Sequence, residues 1–414
     1  MMFFDILLYN SSSESNKSLN QLTVEVLSEH GIKISKQGID KRFNDRSVEF
    51  VKTIFERVFT LQVQEGGIDS GWLSQFQQVR IKDSTRFDIP EEFHEILPGS
   101  GGSASKSGVC IQYEYDVKGG KILDLTITPS IRPDVKDAKE TMINLEKGDL
   151  IIRDLGYFSL EVIEQIQLSQ SYFISRIDST TKVYTQKRGR IKEVDFDALR
   201  RLMVKQGLSR VELPVTIGKV ARIPLRLVLE LMPDVVYEKR MRAINKGNKK
   251  KNRRTSKEYA IRARYNLFVT NVKQDILASD AIPAIYKVRW QVELVFKVWK
   301  STFGIDNTRK MKYVRWLCLL YAKLLVIVIN WKIIMELRTQ LFNKAGKMLS
   351  TDKCFKTLKD NMHSFRQAVK DGGESLPGFF SKITHLLTEK HWLEKRNKKE
   401  GFVKIISLST CKSI

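Results

Sequence analysis

The stretch Tyr286 to Lys300 holds the densest set of groups in this chain that could act together. Read as a helix at roughly 100° per residue, Tyr286, Arg289, Glu293, Lys297 and Lys300 follow at steps of 3, 4, 4 and 3. They then share a stripe about 80° wide. Val288, Trp290, Val292, Leu294, Val295, Phe296, Val298 and Trp299 fill the rest, broken only by Lys287 and Gln291. The pattern predicts a mostly buried helix with one carboxylate and three cations in a narrow row. Two chemistries suit it. One is a solvated face of i,i+4 ion pairs, each worth a few tenths of a kcal/mol. The other is a carboxylate that holds a metal ion, flanked by cations that hold phosphates.

The second chemistry needs partner acids delivered by other elements. Residues 76–82 read as a strand that delivers Asp83 at its end. Residues 109–115 and 121–128 read as a hairpin around Lys118-Gly119-Gly120. Residues 134–146 read as a helix, and 149–153 as a short strand that delivers Asp154. A helix capped by Ser159 and a strand over 171–177 follow. Three strands, helix, strand, helix, strand is the order of a ribonuclease-H-like fold: an antiparallel trio, then helix-linked parallel strands. In that fold the acids ending the first and fourth strands lie side by side, and a third acid comes from a later helix.

Three carboxylates from separate elements of a basic protein suit two-metal phosphoryl transfer. Asp83 would bridge two Mg²⁺ ions, with Mn²⁺ as a substitute, and Asp154 and Glu293 would complete one site each. Lys297 and Lys300 would grip backbone phosphates. Arg289 would bind one as a fork, and Tyr286 would donate to phosphate or stack on a base. An Asp at a strand end is also an ordinary turn former, and Asp88, Glu91, Glu92 or Asp149 would replace these ligands under a shifted register.

The whole chain bounds the partner. It has 414 residues and a formal net charge of +24, which calls for a large polyanion, most simply nucleic acid. Its 42% apolar content supports a sizeable core. Cys110, Cys318, Cys354 and Cys411 form no CxxC pair, which argues against a structural zinc site and a secreted disulfide framework. The five histidines show no ligand spacing, and Met1-Met2-Phe3-Phe4 does not resemble a signal peptide. The apolar run from Trp316 to Trp331 is short for a membrane span and contains Lys323, so it reads as a buried helix. A reducing cytoplasm is the expected setting, with no membrane partner.

The fold class is therefore mixed α/β: a ribonuclease-H-like core with a β-rich insertion, between N-terminal and C-terminal helical regions. The expected domains are residues 1–70, helical, a small DNA-binding module (for DNA ends, as the resemblance below implies) or a plain helical subdomain; 71–177, first part of the core; 178–272, the insertion; 273–310, second part of the core; and 311–414, helical, covering the sheet or building a dimer contact. In the first, helices over 17–29, 35–43 and 46–62 precede a polar linker over 64–70. In the insertion, 211–217 and 222–231 read as edge strands, and 259–272 as a returning strand. Residues 239–257 hold ten Lys/Arg and no acid, and read as a flexible phosphate-binding loop. Helices are expected over 312–337, 339–348, 351–370 and 379–388, with a basic tail over 390–404.

Tyr286-x2-Arg289-x3-Glu293-x6-Lys300 matches the Y-R-E-K signature of DDE transposases in the insertion-sequence-four family. Asp83-Ser84-Thr85, Arg153-Asp154-Leu155-Gly156-Tyr157 and Phe268 to Val272 resemble that family's other motifs. The resemblance covers roughly residues 20–390. It implies catalytic acids Asp83, Asp154 and Glu293, and cut-and-paste movement with a hairpin on the transposon end. It also implies a homodimer acting on terminal inverted repeats and a target duplex. Tyr286, Arg289 and Lys300 would hold the terminal phosphate and a displaced nucleotide. Family members often have a longer helical arm before the position of Met1. An inactive or truncated relative that only grips DNA is the alternative function.

Overall fold

The structure, a computed structural model, describes residues 2–61, 66–68, 70–177, 179–187, 189–220, 222–250, 252–394 and 401–408. Positions 64, 65 and 69 of the expected linker, positions 395–400 of the basic tail, and Cys411 lie outside the described residues. The chain groups into two compact units. The first comprises residues 1–69, 83–132 and 290–403, and the second 70–82, 133–289 and 404–414.

Ten strands carry the sheet structure. They are β1 (Val79–Asp88), β2 (Gly108–Asp116), β3 (Ile122–Pro129), β4 (Leu150–Arg153), β5 (Tyr172–Arg176), β6 (Val183–Lys187), β7 (Arg190–Glu193), β8 (Arg210–Ile217), β9 (Ile223–Leu231) and β10 (Tyr265–Thr270). β1 begins in the second unit and ends in the first.

In the second unit the strand order is β1-β4-β5-β10-β9-β8-β6-β7. β1 pairs with β4, and β4 with β5, in parallel, as helix-linked strands should. β10 then pairs antiparallel with both β5 and β9, so the insertion continues the core's sheet rather than forming one of its own. The apolar faces of Ile151, Phe173, Leu227 and Val269 close over Ile163 and Ile166 of the helix Leu160–Leu168. Ser159 starts that helix by accepting the Val162 N–H, as its residue type predicts.

In the first unit the order is β3-β2-β1, and β2 and β3 pair antiparallel from Val109↔Pro129 to Tyr115↔Ile122. The unit's axis is the helix Tyr313–Ala345. It is long and apolar enough to cross a membrane, yet 72% of its most apolar stretch is buried inside the protein. The run Trp316 to Trp331 is thus a buried helix, as expected. It packs against the helices Met2–Ser11 and Asp45–Thr60 through Ile6, Leu7, Val51 and Leu319. A Ser18–Gln21 capping box opens the helix Leu19–His30 and left-handed Gly31 ends it.

Several expectations are corrected. Asp83 does not end a strand; β1 starts three residues later than expected and runs on to Asp88, so Asp83 sits in its middle. The polar run Lys82 to Asp88 hid that half of the strand. The basic loop expected over 239–257 is mostly the helix Asp234–Lys250, followed by the helix Lys257–Arg262. Lys, Arg and Ala favour helix, and Tyr237, Met241 and Ile244 add a short, partly covered stripe. The helix expected over 351–370 breaks at Asn361 into Thr351–Asp360 and Met362–Asp371, while the two expected over 312–348 are one. The helices Met2–Ser11 and Phe196–Lys205 and the hairpin β6–β7 were not expected.

Candidate active site

The signature is not one helix. Ala281–Tyr286 is a short α-helix, Lys287–Arg289 a 3₁₀ turn, and Trp290–Phe303 the main helix. The tighter turn advances each residue by about 120° rather than 100°. The predicted stripe therefore does not run unbroken through the signature, and Tyr286 and Arg289 are buried. They belong to the second unit, whereas Glu293, Lys297 and Lys300 belong to the first. Trp290 and Leu294, expected in the core, are 57% and 47% exposed.

In the second unit, Asp154 follows β4 and opens the 3₁₀ turn Leu155–Tyr157. Its side chain is half exposed, with Arg289 Nε 3.8 Å from Oδ1. Arg289 itself is 8% exposed, so the guanidinium faces Asp154 from a low-dielectric wall. The Tyr286 hydroxyl donates to the Arg153 carbonyl at 3.4 Å, and its ring meets Phe268 edge-on at 5.3 Å. Burial, with the negative charge of Asp154, pushes the Tyr286 phenol up to about 12. It is a neutral donor at any working pH. In the β1–β4 register Lys82 stands opposite Arg153, and each is followed in the chain by an aspartate.

Lys82 is fully buried and meets Asp137 at 2.6 Å, fixing β1 to the helix Asp134–Thr141 just before Asp83. Arg80 does the same two residues earlier, meeting Asp149 at 3.1 Å and the Asn144 carbonyl at 2.6 Å. The chain entering Asp83 is anchored by two buried ion pairs.

In the first unit, Asp83 accepts the Ser84 N–H at 2.8 Å and is half-buried. Glu293 is half-buried on the main helix. That helix is set on β2 through Phe296 and Trp299, whose rings meet Tyr113 at 6.1 and 4.9 Å. Lys300 Nζ donates to the Arg86 carbonyl on β1 at 3.1 Å, and Lys297 is exposed. Trp290, Leu294 and Lys297 form an outward, apolar-basic row at steps of 4 and 3. Sequence reading missed it because a Trp in an apolar run counts as core. The cue was its i,i+7 spacing from a lysine.

Among the described residues no group of three or more His, Cys, Asp or Glu side chains stands close enough to hold a metal ion. The donors are nonetheless the right kind: hard carboxylate oxygens, one of them half exposed at the end of a strand, suit Mg²⁺ or Mn²⁺. Among the described residues the cysteines, Cys110, Cys318 and Cys354, are buried.

Residues 74–329 match the family model described as Transposase DDE domain. The transposase for insertion sequence element IS231F of Bacillus thuringiensis subsp. israelensis is 32% identical over 91% of this chain and 82% of its own length. The transposase for IS1151 of Clostridium perfringens is 30% identical over 86% and 78%. A piggyBac transposase synaptic complex with hairpin DNA overlays 97% of this chain and 77% of its own, at 12% identity and a TM-score of 0.47, too loose a likeness to carry an argument.

Proposed function

The chain belongs to the DDE transposase family, metal-dependent enzymes that cut and join DNA, and we propose that it moves an insertion sequence by cut-and-paste. In this reading two copies act together on the element's terminal inverted repeats. They cleave the strands, release the element through a hairpin on its end and join it to a target duplex. The setting is the bacterial cytoplasm, at the nucleoid.

Asp83, Asp154 and Glu293 are assigned as the acids that hold two divalent ions. The observation that carries this assignment is the parallel β1–β4 register, which sets Lys82 opposite Arg153 immediately ahead of the two aspartates. The Lys300–Arg86 bond supports pairing Glu293 with Asp83. Glu293 lies seven helical residues before Lys300, about 10 Å, and Asp83 three strand residues before Arg86, also about 10 Å. When bound, such ions acidify the attacking water or hydroxyl and steady the departing oxygen.

The chain's own side chains do the positioning. Arg289, held by burial beside Asp154, offers a fixed cation to a phosphate near that acid. Tyr286, kept neutral, orients the Arg153 main chain that carries Asp154. Lys297 reaches solvent and can grip a backbone phosphate, while Lys300 ties the helix to β1 and places a second charge nearby. Two buried ion pairs hold the strand leading to Asp83, which in-line displacement needs, since misplacement by 1 Å costs ~10²-fold in rate.

The test is Mg²⁺-dependent cleavage of a duplex bearing the element's own ends. Asp83→Ala, Asp154→Ala and Glu293→Ala should each abolish cleavage while leaving DNA binding and thermal unfolding unchanged. Cleavage retained by any one of them removes that residue from the assignment. Lys300→Ala and Arg289→Ala should slow hairpin formation and strand transfer more than first-strand nicking. Wild-type protein that binds the ends without cutting them would be a DNA-binding relative only.

A further inference from the structure

The helix Asp234–Lys250 is sharply two-sided although none of its residues is buried. Tyr237, Met241, Ile244 and Asn248 are partly covered and follow at steps of 4, 3 and 4. On the same side Arg240 donates to the Ala263 and Tyr265 carbonyls at 3.0 and 2.9 Å and to Asn266 Oδ1 at 2.8 Å, fastening the helix along β10. Arg264 lies 4.0 Å over the Tyr237 ring and pairs with Asp234 at 3.1 Å. The opposite side shows Lys239, Arg242, Lys246 and Lys249, all exposed, at steps of 3, 4 and 3.

Past Lys250 the chain folds back on this helix. Asn248 Nδ2 donates to Thr255 Oγ1 at 3.0 Å, Thr255 Oγ1 donates to Asn245 Oδ1 at 2.8 Å, and the Arg253 N–H meets the Asn248 carbonyl at 2.9 Å. The result is an open cleft of about 670 Å³ walled by Lys249, Arg253, Arg254 and Lys257, with no acid in its lining. A row of four cations thus leads into a concavity holding four, Lys249 being common to both.

We propose that this face is a DNA-backbone dock, a second binding surface of the second unit that grips duplex phosphates independently of sequence. The row from Lys239 to Lys249 spans about 15 Å, which matches four to five base steps at about 3.4 Å each. All four side chains on the row are long cations, which suit phosphate oxygens, and Glu238 pairs with Arg242. The cleft would seat one further phosphate group. This inference rests on the reading of the chain as a DNA-acting enzyme.

The test compares wild-type protein with Lys239→Gln/Arg242→Gln/Lys246→Gln/Lys249→Gln. Binding is titrated on a duplex bearing the element's ends and on a random duplex, across a range of salt. The variant should unfold at the wild-type temperature, since all four positions face solvent. On both duplexes its log Kd against log salt should flatten by roughly three to four contacts, at about 0.9 per contact. The same flattening in Arg253→Gln/Arg254→Gln, by one contact, would place the cleft on the DNA path. An unchanged slope in the four-site variant, with wild type binding normally, overturns the dock and leaves the transposase reading standing. Wild type that binds neither duplex overturns that reading instead. Loss of binding to phosphatidylserine vesicles with DNA binding intact also overturns the dock, since the face would then meet a membrane surface.

Discussion

Lys82 and Asp137 stand 2.6 Å apart with side chains 0% and 3% exposed, one residue before the first assigned acid. A pair this deep must have both its members. Lys82→Met leaves a carboxylate without its cation and should destabilise the protein by ~3–5 kcal/mol, read from urea unfolding. Lys82→Met/Asp137→Leu should recover most of that loss, because two apolar residues of similar size suit the site; failure to recover would mean that Lys82 acts through other contacts. Tyr286 makes the opposite case. Its hydroxyl reaches the Arg153 carbonyl at 3.4 Å, a long bond, so Tyr286→Phe should change stability by less than about 1 kcal/mol. Its phenol, pushed up to about 12 by burial, stays protonated throughout the useful range. The wild-type pH–rate profile should therefore show no limb from phenol ionisation below pH 10. A limb there that vanishes in Tyr286→Phe would contradict this burial.

Elements are held by groups that local sequence patterns do not advertise. Lys323, inside the long helix, donates to the Gly304 carbonyl at 3.0 Å, where the main signature helix ends. Gly304 has φ 54, and a Cβ there would come within 1.7 Å of the Glu14 carbonyl oxygen, so no larger residue fits. Burial, resisted by Asp306 and reinforced by Lys359, lowers the Lys323 ammonium from the ordinary lysine value of 10.5 to about 8. A lowered lysine means that the unfolded chain binds more protons between those values, so stability rises with pH from about 8 to 10.5. The rise should be roughly 3 kcal/mol, and Lys323→Met should remove it from pH-dependent unfolding curves. This clamp was invisible in sequence, where Lys323 served only to argue against a membrane span. What was legible had local causes: the Ser159 cap, the β2–β3 hairpin and the strands β8 and β9, although these two lie inside the sheet and not at its edge as expected. The middle of β1 was not legible, because Lys82 to Asp88 is polar and only the tertiary setting makes it strand. The helix Asp234–Lys250 was not, because its dense charge masks the short stripe of Tyr237, Met241 and Ile244 and reads as loop. For the site, the acids and cations were identifiable from residue type and spacing. The 3₁₀ turn Lys287–Arg289 was not, since nothing in those residues forbids a continuous helix.

At the scale of the molecule, the excess of 71 cations over 47 acids governs how DNA is found as well as how it is held. If the duplex neutralises six to ten of those cations, affinity should fall by ~10³–10⁵ between 50 and 200 mM salt. This loss applies to any duplex, whereas contacts that read base edges in the element's ends are largely insensitive to salt. Raising salt should therefore widen the ratio of random-duplex Kd to end-duplex Kd until end binding itself becomes too weak to sustain cleavage. Cleavage of an end-bearing duplex in the presence of excess random DNA should accordingly pass through a maximum as salt is raised. Without competitor the same reaction should only decline. A monotonic decline in both would mean that the positive charge is spent on the ends themselves rather than on DNA in general.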